Sequence, residues 1–117
     1  MIIILPYPKS ELMPNRKNGR HWAATKSAKD KAFSDAFYAT KKVVGATKIT
    51  KSEIALTITF VQNDKRKRDR DNLLAASKSM LDGMAKAMGV DDNCFEPITI
   101  KRQYSNDLSF LMVEANI

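Results

Sequence analysis

Apolar and polar residues alternate most regularly over residues 53–62, where Ile54, Leu56, Ile58 and Phe60 share one face. A period of two residues is typical of a strand with one buried face. The β-branched run over residues 2–5 predicts a second, shorter strand. The apolar positions near the end of the chain predict two more strands, over about 98–104 and 110–112.

Two other segments place apolar residues at helical spacing, over about 27–44 and about 71–88. The predicted stripe of the first helix is Phe33, Ala36, Phe37, Thr40 and Val44. The predicted stripe of the second helix is Leu73, Leu74, Met80, Leu81, Met84 and Met88. Gly45 and Gly89 follow these stripes directly, and glycine is the usual residue just beyond a helix end.

The order of elements is therefore β, loop, α, β, α, β, β. Pro6, Pro8 and Pro14 predict an extended loop over residues 6–24. The pair Asn106-Asp107 predicts a turn, which brings the last two strands close enough to form a hairpin. We expect one α+β domain over residues 1–117, with a small mixed sheet and two main helices packed on one face.

Composition excludes several classes of protein. The chain has 117 residues, of which 44% are hydrophobic and 28% are charged, and this is ordinary for a globular domain. The longest apolar run, residues 2–5, is far too short to span a bilayer, and we expect neither a signal peptide nor a membrane partner. Because Cys94 is the single cysteine and His21 the single histidine, an internal disulfide and a four-ligand zinc site are excluded. A reduced, cytoplasmic setting follows most simply, and we expect no chemical role for either residue.

The net charge of +7 points to a polyanionic partner, and its distribution is uneven. Residues 1–51 carry eleven basic and three acidic side chains, whereas residues 52–117 carry nine and ten. The proline-rich loop supplies Arg16, Lys17 and Arg20, which are either a contact patch for nucleic acid or simply solvated charges.

The segment 65–72 combines charge with possible metal chemistry where a strand passes into a helix. Its basic residues, which we expect to contact a phosphate backbone, are Lys65, Arg66, Lys67, Arg68 and Arg70. Asp69 and Asp71, two residues apart, can point the same way and offer the oxygen ligands that Mg²⁺ prefers. An equally simple interpretation is that Asp69, Asp71 and Asn72 only cap the helix and complement its dipole. A calcium loop is excluded because leucines occupy the positions that would need an oxygen ligand and glycine.

A second acidic cluster, Asp91-Asp92, follows the predicted helix after Gly89. It is either a turn or a group of metal ligands. A straight helix of the predicted length would separate Asp71 from Asp92 by about 27 Å at 1.5 Å per residue. The two meet only if the helix is shorter, if the chain runs back along it, or if a dimer brings them together.

The segment 68–73, the pair Asp91-Asp92 and the opening Leu5-Pro6-Tyr7-Pro8 together resemble the RusA family of Holliday junction resolvases, which are encoded by phages and prophages. The resemblance covers nearly the whole chain, and its most specific part is Asp-x-Asp-Asn-Leu after a basic run. It implies that Asp69, Asp71 and Asp92 are catalytic and bind Mg²⁺, with Mn²⁺ as a possible substitute. A homodimer acting on branched DNA in recombination and repair, in the cytoplasm of a bacterial host, is implied as well.

This sequence departs from the family at one position. The family commonly has a lysine four residues after the second Asp of the motif, where this chain has Ala75. Lys78, seven residues after Asp71, lies on nearly the same helical face and either replaces the missing catalytic amine or is a solvated lysine. A non-catalytic protein that binds DNA or RNA through the same basic loop is the competing hypothesis. Trp22, Phe33 and Phe37 are candidates for a dimer surface, although core positions suit them better.

Overall fold

The computed structural model describes residues 1–13 and 22–117, with side chains from Ala24 onward in the second range. Its four strands are β1 (Ile2–Pro6), β2 (Ile54–Gln62), β3 (Phe95–Tyr104) and β4 (Phe110–Ala115). They form one mixed sheet in the order β1-β4-β2-β3. Strand β4 is antiparallel to both β1 and β2, whereas β3 is parallel to β2. This is the α+β architecture with a mixed sheet that the sequence predicts.

The predicted hairpin of the last two strands is wrong, because β2 lies between them. All residues from Ile58 to Gln62 are buried, as befits an interior strand with a partner on each side. Residues 105–109 form the connection and can extend over about 17 Å, enough to pass the end of one strand. The backbone N–H of Ser105 donates to the carbonyl of Gln62 at 2.9 Å, so β3 stays bonded to β2 as the chain leaves the sheet.

Three helices pack on one face of the sheet: α1 (Trp22–Val44), α2 (Arg70–Ala76) and α3 (Lys78–Met88). Helix α1 starts earlier than predicted, and the predicted helix over 71–88 is two helices. The division falls at Ser77, whose buried hydroxyl donates to the carbonyl of Leu73 at 2.9 Å. Its N–H bonds the carbonyl three residues back rather than four, which tightens the last turn of α2. Gly89, at φ 71°, ends α3 as predicted.

The hydrophobic core lies between the helices and the sheet. Ile54, Leu56, Ile58 and Phe60 are fully buried there, as their alternation predicts. The following residues of the predicted helical stripes are buried: Ala36, Thr40, Val44, Leu73, Met80, Leu81, Met84 and Met88. Leu74 is 37% exposed, and Phe33 and Phe37 are half-buried, so these three predicted stripe positions lie at the margin of the core.

Helices α1 and α3 approach each other most closely at Gly83. A Cβ atom at this position would lie 2.3 Å from the backbone carbonyl oxygen of Phe33. Only a residue without a side chain permits this distance between the two backbones. None of the described helices is both long and apolar enough to cross a membrane.

Candidate functional site

The basic loop, residues 63–69, connects β2 to α2 and is built around the buried end of β2. The amide nitrogen of Gln62 donates to the backbone carbonyls of Asp64 and Arg66, at 3.0 and 2.5 Å. The hydroxyl of Tyr7 donates to the Gln62 amide oxygen at 3.4 Å. One side chain at the end of a strand therefore holds the loop against the segment that follows β1.

Arg68 is part of the same arrangement. Its guanidinium donates to both oxygens of Asp64, at 2.9 and 3.3 Å, and lies 5.7 Å from the centre of the Tyr7 ring. The hydrogen bond from Arg68, followed by that from the Arg66 backbone N–H, lowers the pKa of Asp64. The guanidinium of Arg102 donates to the Arg68 carbonyl at 2.9 Å. The side chain of Arg68, predicted to contact DNA, is thus engaged within the protein.

Most of the other predicted DNA contacts are exposed. Lys65, Arg66, Lys67 and Arg70 all have solvent-exposed side chains. The ammonium group of Lys65 lies 5.3 Å from the centre of the Tyr104 ring. Four cations beside an ordered loop form a surface that suits a polyanion. The remaining candidates, Arg16, Lys17, Arg20 and His21, lie outside the described residues.

Asp69 and Asp71 lie at the start of α2 with exposed carboxylates. Asp69 occupies the N-cap position, and its carbonyl accepts the N–H of Leu73 at 3.0 Å, but its side chain makes no capping hydrogen bond. The interpretation of Asp69 as a side-chain cap therefore finds no support. Asp69 and Asn72 line a polar groove together with Tyr7, Arg66 and Lys67.

Lys78, Asp82 and Asp92 form a second group, called here the Lys78 cluster. The Lys78 ammonium donates to Asp82 at 2.8 Å and also to Asp92. The hydrogen bonds to Asp82 and Asp92, in that order, raise the pKa of Lys78. The hydrogen bond from Lys78 is the largest cause of a lowered pKa at Asp92. The side chain of Lys78 thus joins the first turn of α3 to Asp92, in the turn that follows the helix.

The neighbouring Asp91 has a different role from Asp92. Its Oδ1 accepts the backbone N–H of Asn93 at 2.9 Å and caps the short 3₁₀ turn Asp92–Cys94. The turn interpretation is therefore correct for Asp91, whereas Asp92 points to Lys78. Cys94 is half-buried against the core, as a small apolar filler would be.

The structure brings Asp92 to Lys78 but does not bring the predicted acidic triad together. Within residues 1–13 and 22–117, no three His, Cys, Asp or Glu side chains are placed to hold a metal ion. Asp69, Asp71 and Asp92 therefore do not converge in a single copy of the chain. Because the chain is divided at Ser77, Asp71 and Asp92 are not separated by one straight helix of the predicted length.

Sequence reasoning missed Asp82 and the role of Gln62. Asp82 follows Lys78 by four residues, and this spacing places opposite charges side by side on a helix, so the signal was present. The role of Gln62 had no such signal, because it depends on Tyr7, fifty-five residues earlier in the chain.

Comparison with known proteins gives a distant relative. A curated protein of Xylella fastidiosa is 30% identical to this chain over 95 residues, which are 80% of this chain and 61% of the relative. That protein is described only as an uncharacterized protein. The chain thus spans about three-fifths of the relative's length. No protein-family model matches the chain.

Proposed function

We propose that the protein is a metal-dependent endonuclease that cuts branched DNA, and that it resolves four-way junctions by paired nicks, as the resemblance to the RusA family implies. The observation that supports this most is the contact between Lys78 and Asp92. It joins Lys78, the candidate replacement for the missing family lysine, to Asp92, the third acid of the implied triad, which follows it by 14 residues.

The basic loop would hold the phosphate backbone through Lys65, Arg66, Lys67 and Arg70. Arg68 has a different task, since its pair with Asp64 holds the loop in shape beside Asp69. A loop ordered before binding loses less conformational entropy when DNA arrives.

Asp69 and Asp71 have the chemistry to hold Mg²⁺, which is usually bound by one or two carboxylates together with water and phosphate oxygens. When bound, the ion would supply an activated water and charge stabilisation at the scissile phosphate. The hydrogen bond from Lys78 lowers the pKa of Asp92 and so favours its ionised form. A homodimer would present two such sites to opposite strands of a two-fold symmetric junction. We propose further that it serves recombination or repair in the cytoplasm of a bacterium carrying a phage or prophage.

The test is incubation with a synthetic mobile four-way junction and Mg²⁺, followed by mapping of the nicks. We expect symmetric paired nicks that disappear with a chelator. Asp71→Asn should abolish cutting and leave junction binding within about twofold, because the basic loop is unchanged. Asp107→Asn is the matched control: it makes the same change in the exposed loop after β3 and should cut normally.

The competing hypothesis, a DNA- or RNA-binding protein without catalysis, makes different predictions. Binding would survive chelation, and the junction would remain intact over a range of pH and with Mn²⁺ in place of Mg²⁺. An intact junction with folded protein would overturn the nuclease proposal. Equal competition by linear duplex at matched salt would exclude a preference for branched DNA.

A further inference from the structure

The face of the sheet opposite the helices is apolar on β1 and β4 and carries two charges. Residues that pair across neighbouring strands point to the same side of a sheet. Ile2 pairs with Glu114, Ile4 with Met112 and Pro6 with Phe110, all on the side away from the core. Through β2, the same rows continue to Lys101 on β3. We call this the open face, defined by Ile2, Ile4, Phe110, Met112, Glu114 and Lys101.

The apolar part of the open face is accessible to solvent. Ile2 and Ile4 are 58% and 57% exposed, and Phe110 and Met112 are half-buried. The described helices bury their apolar residues against the other face, where Ile3, Leu5, Leu111 and Val113 belong to the core. Neighbouring exposed apolar residues on two paired strands, here β1 and β4, are typical of an interface rather than of free surface.

The charges of the open face favour a second copy of this chain over a nucleic acid. Its outward-pointing positions include one acid, Glu114, and one base, Lys101, so the face is neutral on a chain of net charge +7. A polyanion is attracted more strongly to the basic loop. Two copies that each carry +7 repel least where the approaching surfaces are neutral.

The two charges are also placed for a two-fold contact. Glu114 and Lys101 lie on opposite sides of β2, where they neighbour Thr57 and Thr59. Since adjacent strands are about 4.8 Å apart, these charges lie on strands separated by about 10 Å. The two-fold axis would lie between the two copies, parallel to their sheets, and pass over β2 between the two threonines. It would place each charge opposite the opposite charge of the other copy, as a self-complementary interface requires.

We propose that the open face is the surface through which two copies of this chain associate. Glu114 of each copy then faces Lys101 of the partner subunit, and Ile4 and Met112 lie in the apolar part of the contact. This proposal rests on the proposed function for its purpose, since paired cuts need two copies, whereas its evidence comes from the sheet.

The test measures oligomeric state by sedimentation equilibrium without DNA or metal. We expect a dimer for the unmodified chain, and Ile4→Asp should raise its dissociation constant by at least about 30-fold, because it places a charge in the apolar part of the contact. Val43→Asp is the control, because Val43 is 54% exposed on α1, which packs on the other face of the sheet. Circular dichroism checks that each variant is folded.

A charge exchange tests the geometry and does not depend on Ile4→Asp being folded. Glu114→Lys and Lys101→Glu should each weaken the dimer, because they place like charges together, and the double variant should restore it. A monomeric unmodified chain, a dimer insensitive to Ile4→Asp, or no rescue in the double variant would overturn the proposal. If the double variant restores the dimer but the unmodified chain leaves junctions uncut, the result supports the interface and counts against the proposed nuclease activity. Loss of DNA binding in Lys101→Glu without a change in oligomeric state would assign the face to nucleic acid instead.

Discussion

The ammonium group of Lys78 lies between the carboxylates of Asp82 and Asp92 and joins the start of α3 to the turn after its end. Lys78 itself is mostly exposed, and only the two acids hold its side chain in place. Its effect is therefore better measured at its partners' ionisation than in overall stability, since exposed ion pairs contribute little to the free energy of unfolding.

We predict that Lys78→Met raises the pKa of Asp92 toward the ordinary value for an aspartate. Because Lys78 lowers this pKa in the folded chain, pairing stabilises the fold above the pKa of the unfolded aspartate, about 3.9. That contribution is lost as pH falls through the lower, folded value. Titration of the Asp92 carboxyl carbon by NMR measures the change.

Lys42→Met is the control for this titration, since it removes an equal charge from the exposed end of α1. The control should leave the pKa of Asp92 unchanged. An Asp92 pKa that is the same in the unmodified chain and in Lys78→Met would mean that the two side chains are apart in solution.

Single residues also show what local spacing could and could not predict about the candidate site. The carboxylates of Asp69 and Asp71 and the exposed cations around them follow from local spacing at a strand end. Local spacing could not show that Arg68 differs from its neighbours. Besides its pair with Asp64, its guanidinium lies against Tyr7, which is far from it in the sequence.

Among the elements, α1 and α3 are fixed against each other at Gly83. We predict that Gly83→Ala destabilises the protein by about 2 kcal/mol, although alanine favours a helix by about 1 kcal/mol. The added Cβ would meet the backbone of Phe33, which cannot rotate away as a flexible side chain can. Chemical denaturation followed by circular dichroism measures the difference in unfolding free energy.

Gly45→Ala provides a glycine-to-alanine comparison without a clash. Gly45 has φ 56° and open space around it, so the variant suffers only the backbone strain of about 1 kcal/mol. Gly83→Ala should therefore be the less stable of the two. A Gly83→Ala protein as stable as the unmodified chain would mean that the helices are farther apart than described.

The elements themselves were predicted better than their arrangement. The buried face of β2 and the stop at Gly89 follow from periodicity and backbone preference, which are local. The strands that lie beside β2 do not follow from local preferences, because strand order depends on which strand pairs with each edge of β2, on either side of Ile58 and Phe60. The division at Ser77 escaped prediction because serine is tolerated within helices, and only its burial directs the hydroxyl to the Leu73 carbonyl.

For the whole molecule, the distribution of charge predicts how DNA binding responds to salt. We predict that the double variant Lys65→Gln/Lys67→Gln flattens the slope of log affinity against log salt concentration by about 2, because each phosphate that a lysine no longer neutralises lowers the slope by about 0.9. Fluorescence anisotropy with a labelled junction, repeated over a range of salt concentrations, measures the slope.

The matched control for charge is Lys41→Gln/Lys42→Gln, which removes the same two charges from exposed positions at the end of α1. It should change the slope by less than half as much. Equal changes in both double variants would indicate that DNA senses only the net charge of +7 and not the basic loop.

The strand order β1-β4-β2-β3 has a consequence for synthesis of the chain on the ribosome. Strand β4 is made after the other three, yet it occupies the interior position between β1 and β2. Until residues 110–115 have emerged, β1 has no strand to pair with, and β2 can pair only with β3. The nascent chain can therefore assemble its helices and the β2–β3 pair early, but the sheet closes in a late step that joins positions as distant as Met1 and Ala115.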